Sequence, residues 1–501
     1  MFRHQSGSRQ SGQSPWFTRL YRRRHIVGVS AAALGTIYYS WRTIHADESP
    51  RDARLERPSI EPSTHPDEVY INTKLSALSS SATFMGDTGI SRFDVISIPN
   101  VIPGQNASLL SSVRLVTDTS WTLFTLYDGF DGWENVDAVS SRLVSALLDG
   151  LLGILAKYEP PAEHIEVGVV PDVELALEPF DDAINKKIKD IFIEVDNNIV
   201  HKPFDFSSGP PSKSSVSAAL GAALSGSSAI LAFYDMDPRI LRVALTGNSR
   251  AVLGRRARTN NGKSSYEVHI LTADQTCDSA LEAARLLPKN PGESEPHVFS
   301  HGLSRAFGVA ALKWSHEMQE RLHREYLGEI PLAHVHVKTP PPYLSAEPEI
   351  TTIQIKPGDF MVMASHGLWS SLTNEEVVGL VGLWLNRDMA VKSDTPPLPA
   401  DGIEPRDLPV SLGTDDTVMY SRWRAEKKFL CTDNNAAGHL ARNALGGANV
   451  GLTASLLALE PPRARKFRFS AIPKCLLQGT DCLHPLVRDN INMTVIFFDD
   501  K

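Results

Sequence analysis

The sequence has 501 residues, 42% hydrophobic and 22% charged, the make-up of a globular chain long enough for two or three average domains or one large one. Its formal charge of −8 gives no sign of the basic surface that nucleic-acid binding demands, so no nucleic-acid partner is expected. The four cysteines, at 277, 431, 475 and 482, are scattered without a C-x-x-C pair, which argues against a structural zinc site and a disulfide scaffold; Cys475 and Cys482 are expected as free thiols unless the compartment is oxidising.

Residues 1–46 contain no Asp or Glu, and Arg3, Arg9, Arg19, Arg22, Arg23, Arg24 and Arg42 stand among Ser and Gln. That composition predicts a mitochondrial targeting segment. Within it, Ile26 to Trp41 is apolar, bracketed by arginines and closed by aromatics, and reads as a membrane anchor; a cleaved or merely amphipathic presequence is the alternative. Sixteen residues of helix reach roughly 24 Å, short of the ~30 Å hydrocarbon core, so spanning requires bilayer thinning or snorkelling arginines. If the segment spans, the charge rule leaves its arginine-rich side in the matrix and the body in the intermembrane space. Residues 47–67 are charged and proline-containing without period, a linker, and the globular body is expected over 68–500.

In the body, Leu123 to Trp133 (L-F-T-L-Y-D-G-F-D-G-W) is an apolar strand stopping at Asp-Gly, followed by helical spacing from Val136 to Tyr158. A strand delivering an aspartate to its C-terminal end can place a carboxylate beside a metal; alone, the pattern equally describes an ordinary strand-to-helix connection. Helical periodicity predicts an amphipathic helix over Phe180 to Val200, and Ser207 to Ser217 reads as a loop. Ser228 to Tyr234 is strand-like. Arg239 to Leu253 has two β-rich halves around T-G-N-S, a hairpin signal, and Ile350–Ile355 with Phe360–Met363 forms a second hairpin-like pair. Glu267 to Leu271 adds a strand. Helices are predicted over Asn374–Leu385 and Asn435–Leu445, and Met493 to Phe498 closes the chain as a strand. Two aperiodic stretches, 387–424 and 461–486, read as insertions, the first as disordered.

Seven motifs stand in order: D-G-F-D-G, G-N-S-R-A-V-L-G, L-T-A-D-Q, S-R-A-F-G, P-P-Y-L-S-A-E-P-E-I, A-S-H-G-L-W and R-D-N-I-N-M-T-V. This series resembles the PPM-type (type 2C) metal-dependent Ser/Thr protein phosphatases, in the branch of the fungal mitochondrial pyruvate dehydrogenase phosphatases; S-R-F-D-V-I-S-I-P and H-L-A-R-N-A-L-G-G point to that branch. The resemblance implies an α+β fold, a sandwich of two antiparallel β-sheets flanked by helices. It also implies a site at one end where Mg²⁺ or Mn²⁺ ions activate water against a phosphoserine or phosphothreonine.

On this pattern the metal-bridging aspartate matches Asp128, the glycine whose carbonyl binds a metal matches Gly129, and the final aspartate matches Asp489. Other positions depart. Gln105 and Asn106 stand where the family carries Glu-Asp, and Phe130 where it has the histidine that serves as general acid. Asn248, Gln275 and Val309 replace Asp, His and Asp, and His366 occupies the place of a metal-binding aspartate. One divalent ion held by Asp128, Gly129, His366 and Asp489 is one expectation, and no metal the other; imidazole suits Mn²⁺, Fe²⁺ or Zn²⁺ better than Mg²⁺. Asp131 reads as turn solvation, and Arg250 and Arg305 as structural pairs in preference to phosphate ligands. The expected partner is a phosphoprotein or other protein, by resemblance the pyruvate dehydrogenase complex. A catalytically impaired relative and an active phosphatase of a mitochondrial phosphoprotein are the two functional readings.

Overall fold

The computed structural model describes residues 65–84, 88–99, 110–114, 121–158, 179–205, 207, 209–258, 264–286, 302–327, 342–390, 402–459 and 489–499. The stretches read as a targeting segment (1–46), an anchor (26–41) and a second insertion (461–486, with Cys475 and Cys482), together with Gln105 and Asn106, lie outside the described residues.

Among the described residues the first element starts inside the stretch read as linker: Pro66 opens α1 (Pro66–Leu78), and its Ile71 and Leu75 are buried. Then come β1 (Ser79–Thr83), β2 (Ile90–Ile98), β3 (Leu110–Arg114), β4 (Trp121–Phe130), α2 (Glu134–Tyr158), α3 (Phe180–Val200) and α4 (Lys213–Leu224). The middle of the chain supplies β5 (Gly226–Asp235), β6 (Ile240–Thr246), β7 (Arg250–Arg258), β8 (Ser264–Ile270), α5 (Ala280–Leu286), β9 (Phe307–Gly308) and α6 (His316–Leu322). Last are β10 (Glu349–Gln354), β11 (Phe360–Ala364), α7 (His366–Trp369), α8 (Asn374–Ala390), α9 (Met419–Trp423), α10 (Ala436–Ala444), α11 (Val450–Ala458) and β12 (Ile491–Phe498).

The strands form two antiparallel sheets, ordered β1-β2-β12-β11-β7-β8 and β10-β6-β5-β4-β3, with β9 paired to β5. Their inner faces meet through Phe93, Phe124, Leu126, Ile230, Tyr234, Val243, Met361, Met363 and Ile496. The outer face of the second sheet packs on α2 and α3, and that of the first on α8 and α10. This is the expected α+β sandwich. It also explains why β4 and β5 read as unbroken apolar runs: each is covered on both faces. Among the described residues, α2 is the one helix long and apolar enough to cross a membrane, but Val139, Leu143, Leu147 and Leu151 bury it against the sheet as a core helix.

Several expectations are corrected. Neither proposed hairpin is one: β6 and β10 pair with each other in the second sheet, while β7 and β11 pair in the first. The connections through Gly247 and Gly358 therefore cross from sheet to sheet, and the pairing that follows β7 is with β8. Gly247, at φ 115°, is needed because a Cβ there would lie 2.3 Å from Ser228 Oγ. The Ser/Pro-rich loop ends early, since Ser212 Oγ accepts from the Ser215 amide and caps α4.

The insertion read as disordered is ordered over 402–424. Ile403 bridges Phe429, the Tyr266 amide donates to Pro409 O at 2.8 Å, and Leu408 and Tyr420 join the α8 core. Lys427 clips this strap to α8, with Nζ 2.9 Å from Glu376 Oε2 and 2.8 Å from Asp415 Oδ2. Aperiodic sequence here reflects a segment held by edge pairing and single anchors rather than by one amphipathic face.

Candidate functional site at one end of the sandwich

Asp128 lies near the C-terminal end of β4 on the face shared with Phe124 and Leu126, so alternation aims it between the sheets. It is 9% exposed, and Asn490 Nδ2 donates to its Oδ1 at 2.6 Å. Asn490 is the hub of this end. Its carbonyl accepts from Ser365 Oγ at 3.1 Å, and Ser365 Oγ in turn accepts from the Asn492 amide at 3.0 Å. A Cβ on Gly367 would stand 2.0 Å from Asn490 O, so only glycine lets α7 approach so closely. His366, the first residue of α7, is thereby held beside the Asp489–Asn490 corner, and its Nδ1 is buried with no hydrogen-bond partner. Asp489 Oδ1 accepts from the Asn490 amide at 2.8 Å, and Gly129 sits in the ladder opposite Ser227. The matched residues Asp128, Gly129, His366 and Asp489 are thus carried to the same end.

The neighbouring positions have an apolar character. A Cβ on Gly226 would lie 2.3 Å from Phe130 Cε2 and 2.6 Å from Val309 Cγ2, so the two side chains converge over that glycine. Phe130 packs onto a cluster of Leu303, Ala306, Val309, Leu312, Tyr343 and Leu344. Val309 adopts φ 50°, a left-handed conformation costly for a β-branched residue. A buried ion pair braces that turn: Asp196 Oδ1 accepts from the Gly308 amide at 2.8 Å, and Asp196 Oδ2 meets Lys313 Nζ at 2.7 Å.

The other replaced positions serve structure. Gln275 is buried, accepts from the Gly247 amide at 2.8 Å and donates to Leu245 O at 3.0 Å, locking the inter-sheet turn that holds Asn248. Arg250 forks onto Asp274 at 2.9 and 3.0 Å and also reaches Asn374. Arg305 pairs with Glu282, whose carboxyl is held down at about 2: burial raises it, but hydrogen bonds from Arg305, Arg285 and Ser304 outweigh that. Asp131 is an exposed turn residue at φ 58°.

Asn490, Asn492, Ser228 and Ser249 were not singled out from sequence. The signal was present: polar residues fall on the inward phase of strands that are otherwise apolar. Ser97 Oγ donates to Asn492 Oδ1 at 2.6 Å and Ser228 pairs with Ser249 at 3.1 Å, so these inward-facing pairs near Asp128 are polar but neutral.

Hard divalent ions require several oxygen donors with charge. Among the described residues, no group of three or more His, Cys, Asp or Glu side chains could hold a metal ion. One Asp128 oxygen already accepts from the Asn490 side-chain amide, and Phe130 stands two residues on. These residues do not fit the two-ion centre of the resemblance.

A family model described as protein phosphatase 2C matches residues 180–395. A protein phosphatase 2C homolog of Schizosaccharomyces pombe is 33% identical, over 86% of this chain and 85% of its own length. The mitochondrial pyruvate dehydrogenase (acetyl-transferring) phosphatase 1 of Saccharomyces cerevisiae is 28% identical, over 86% of this chain and 73% of its own length. A crystal structure of serine-threonine phosphatase 2C from Toxoplasma gondii aligns with TM-score 0.45 and 14% identity, covering 84% of this chain and 99% of that one. With 33% identity across the aligned 86% of its length and 85% of the fission-yeast homolog's, on a sandwich of the architecture its motifs imply, the chain belongs to the protein phosphatase 2C family.

Proposed function

We propose that this chain is a pseudophosphatase of mitochondria, a type 2C fold that holds a phosphoprotein or other protein partner without hydrolysing it. The observation that carries the reading is the convergence of Phe130 and Val309 over Gly226, where the family resemblance calls for a proton-carrying histidine and an aspartate. An aromatic ring carries no proton at neutral pH, and burying an apolar cluster beside Asp128 lowers the affinity of that end for a cation. The names of the relatives support mitochondria as the compartment and the pyruvate dehydrogenase complex as the partner. Residues 26–41 are the proposed inner-membrane anchor; extraction of the chain from mitochondrial membranes by alkaline carbonate would refute it.

A second reading has one observation in its favour. His366 Nδ1 is buried without a hydrogen-bond partner, and in this reading Asp128, Gly129, His366 and Asp489 rearrange to share one Mn²⁺. That reading makes the chain a slow metal-dependent phosphatase. One experiment separates them: metal content and phosphopeptide turnover on the purified chain, with Mg²⁺ and Mn²⁺ supplied in turn. The first reading expects no stoichiometric metal and no turnover above background. Turnover with Mn²⁺ that disappears in Asp128→Ala would overturn it.

A further inference from the structure

β10 is the last strand of its sheet and pairs with β6 alone, so among the described residues its other edge carries no ladder. The corresponding edge in the facing sheet, β8, is partly covered, since the Tyr266 amide donates to Pro409 O in the strap. Unpaired edges are normally blunted by Lys, Pro or a bulge. The strand E-I-T-T-I-Q has none of these, and its register with β6 is unbroken. Glu349 is its one charge.

The register sets what the edge presents. Glu349, Thr351 and Ile353 stand opposite Leu245, Val243 and Leu241, which face the other sheet, so this row points into the seam between the sheets. At the mouth of the seam is a cavity of about 170 Å³. Its floor is Leu245 and Leu271, 1% and 2% exposed; Ile270 on β8, 57% exposed, forms one rim, and Glu349 with Thr351 the other. On β8, Glu267 is 63% exposed and shares the seam-facing phase with His269, 3.8 Å away. The docking surface therefore has three parts: a row of backbone donors and acceptors with no strand beside it, whose far end is taken where Arg255 Nη2 donates to Gln354 O at 2.8 Å, an apolar socket of one side chain's size, and an acidic rim in a chain of net charge −8.

We infer that the β10 edge and its socket bind an extended segment of a partner protein. The segment adds as a further strand, seats an apolar side chain on Leu245 and Leu271, and sets a Lys or Arg two residues along beside Glu349. Backbone pairing supplies affinity, and the socket and rim supply choice, since an acidic segment would meet Glu349 and Glu267. The surface shares no residue with the Asp128, Gly129, His366 and Asp489 set, so this inference stands whether or not that set hydrolyses phosphate.

The test uses the full chain and a fluorescein-labelled peptide, T-V-T-L-T-K-T, which places Val, Leu and Lys on one face of a strand. Anisotropy is expected to show saturable binding, weakened at least tenfold in Glu349→Lys. Against the unaltered chain, a peptide N-methylated at alternate backbone nitrogens should also bind at least tenfold more weakly, and the unmodified peptide should slow amide hydrogen exchange in residues 349–354. Absence of saturable binding overturns the proposal, as does binding indifferent to both Glu349→Lys and N-methylation. If residues 349–354 are already protected in a concentration-dependent dimer that Glu349→Lys dissociates, a second copy of the chain is the occupant and the partner segment is ruled out.

Discussion

Replacing Lys313 with methionine removes the cation of the ion pair beneath the Val309 turn while keeping the length of the side chain. Lys313 and Asp196 are 3% and 7% exposed, and the ammonium also donates to Ala306 O at 2.8 Å. Burial lowers the Lys313 pKa, and the Asp196 charge and hydrogen bond work against that. Lys313→Met leaves Asp196 as an uncompensated buried charge that still accepts from the Gly308 amide. Breaking a buried pair from one side costs about 3–5 kcal/mol, whereas removing both charges together is often close to neutral. Equilibrium urea unfolding followed by circular dichroism should therefore show Lys313→Met shifted down by on the order of 1 M urea. The double variant Asp196→Asn, Lys313→Met should recover most of that loss. A single variant that loses less than about 1 kcal/mol, or a double variant no better than the single, would refute the argument that this pair sustains the left-handed turn pressing Val309 onto Phe130.

Two further outcomes follow from other buried charges. Burial raises the Asp235 carboxyl from 3.8 to about 6, with Arg242 opposing and Asp237 adding to the rise. Between about pH 4 and 6 the folded chain then binds more protons than the unfolded one, so stability falls as pH rises through that window, by up to about 3 kcal/mol, and levels off above it. Asp235→Asn should remove this fall in urea midpoints measured from pH 4.5 to 7.5; parallel curves for the two proteins would show the assignment is wrong. Lys427→Ala strands Glu376, 4% exposed, and unclips Asp415, 50% exposed, so protease cuts should appear within 402–418 that the parent chain resists; an unchanged digestion map would count against the strap.

Much of the fold was legible because its elements are covered on predictable faces. Phe180 to Val200 is a helix over the range its spacing predicted, and the Leu123–Phe130 run is a strand with Asp128 near its end, because period and apolar length are local properties. Which strands pair was not local. T-G-N-S between two β-rich halves looks the same whether the chain folds back in one sheet or steps to the next, and Gln275, 28 residues away, holds the Gly247 turn in the second form. The strap at 402–424 went unread for a related reason: its order comes in part from Tyr266 and, through Lys427, from Glu376, which are distant in sequence.

The sequence by itself determined the family and the residue types at the candidate site, since seven ordered motifs and the substitutions Phe130, Val309 and His366 are visible without coordinates. Tertiary structure alone decided what those substitutions do in space. Phe130 and Val309 meet over Gly226 because a strand end and a left-handed turn 179 residues apart converge there, and Asn490 reaches Asp128 because β12 and β4 lie in facing sheets. Side-chain chemistry is written residue by residue, whereas proximity depends on the packing of two sheets that no local pattern encodes.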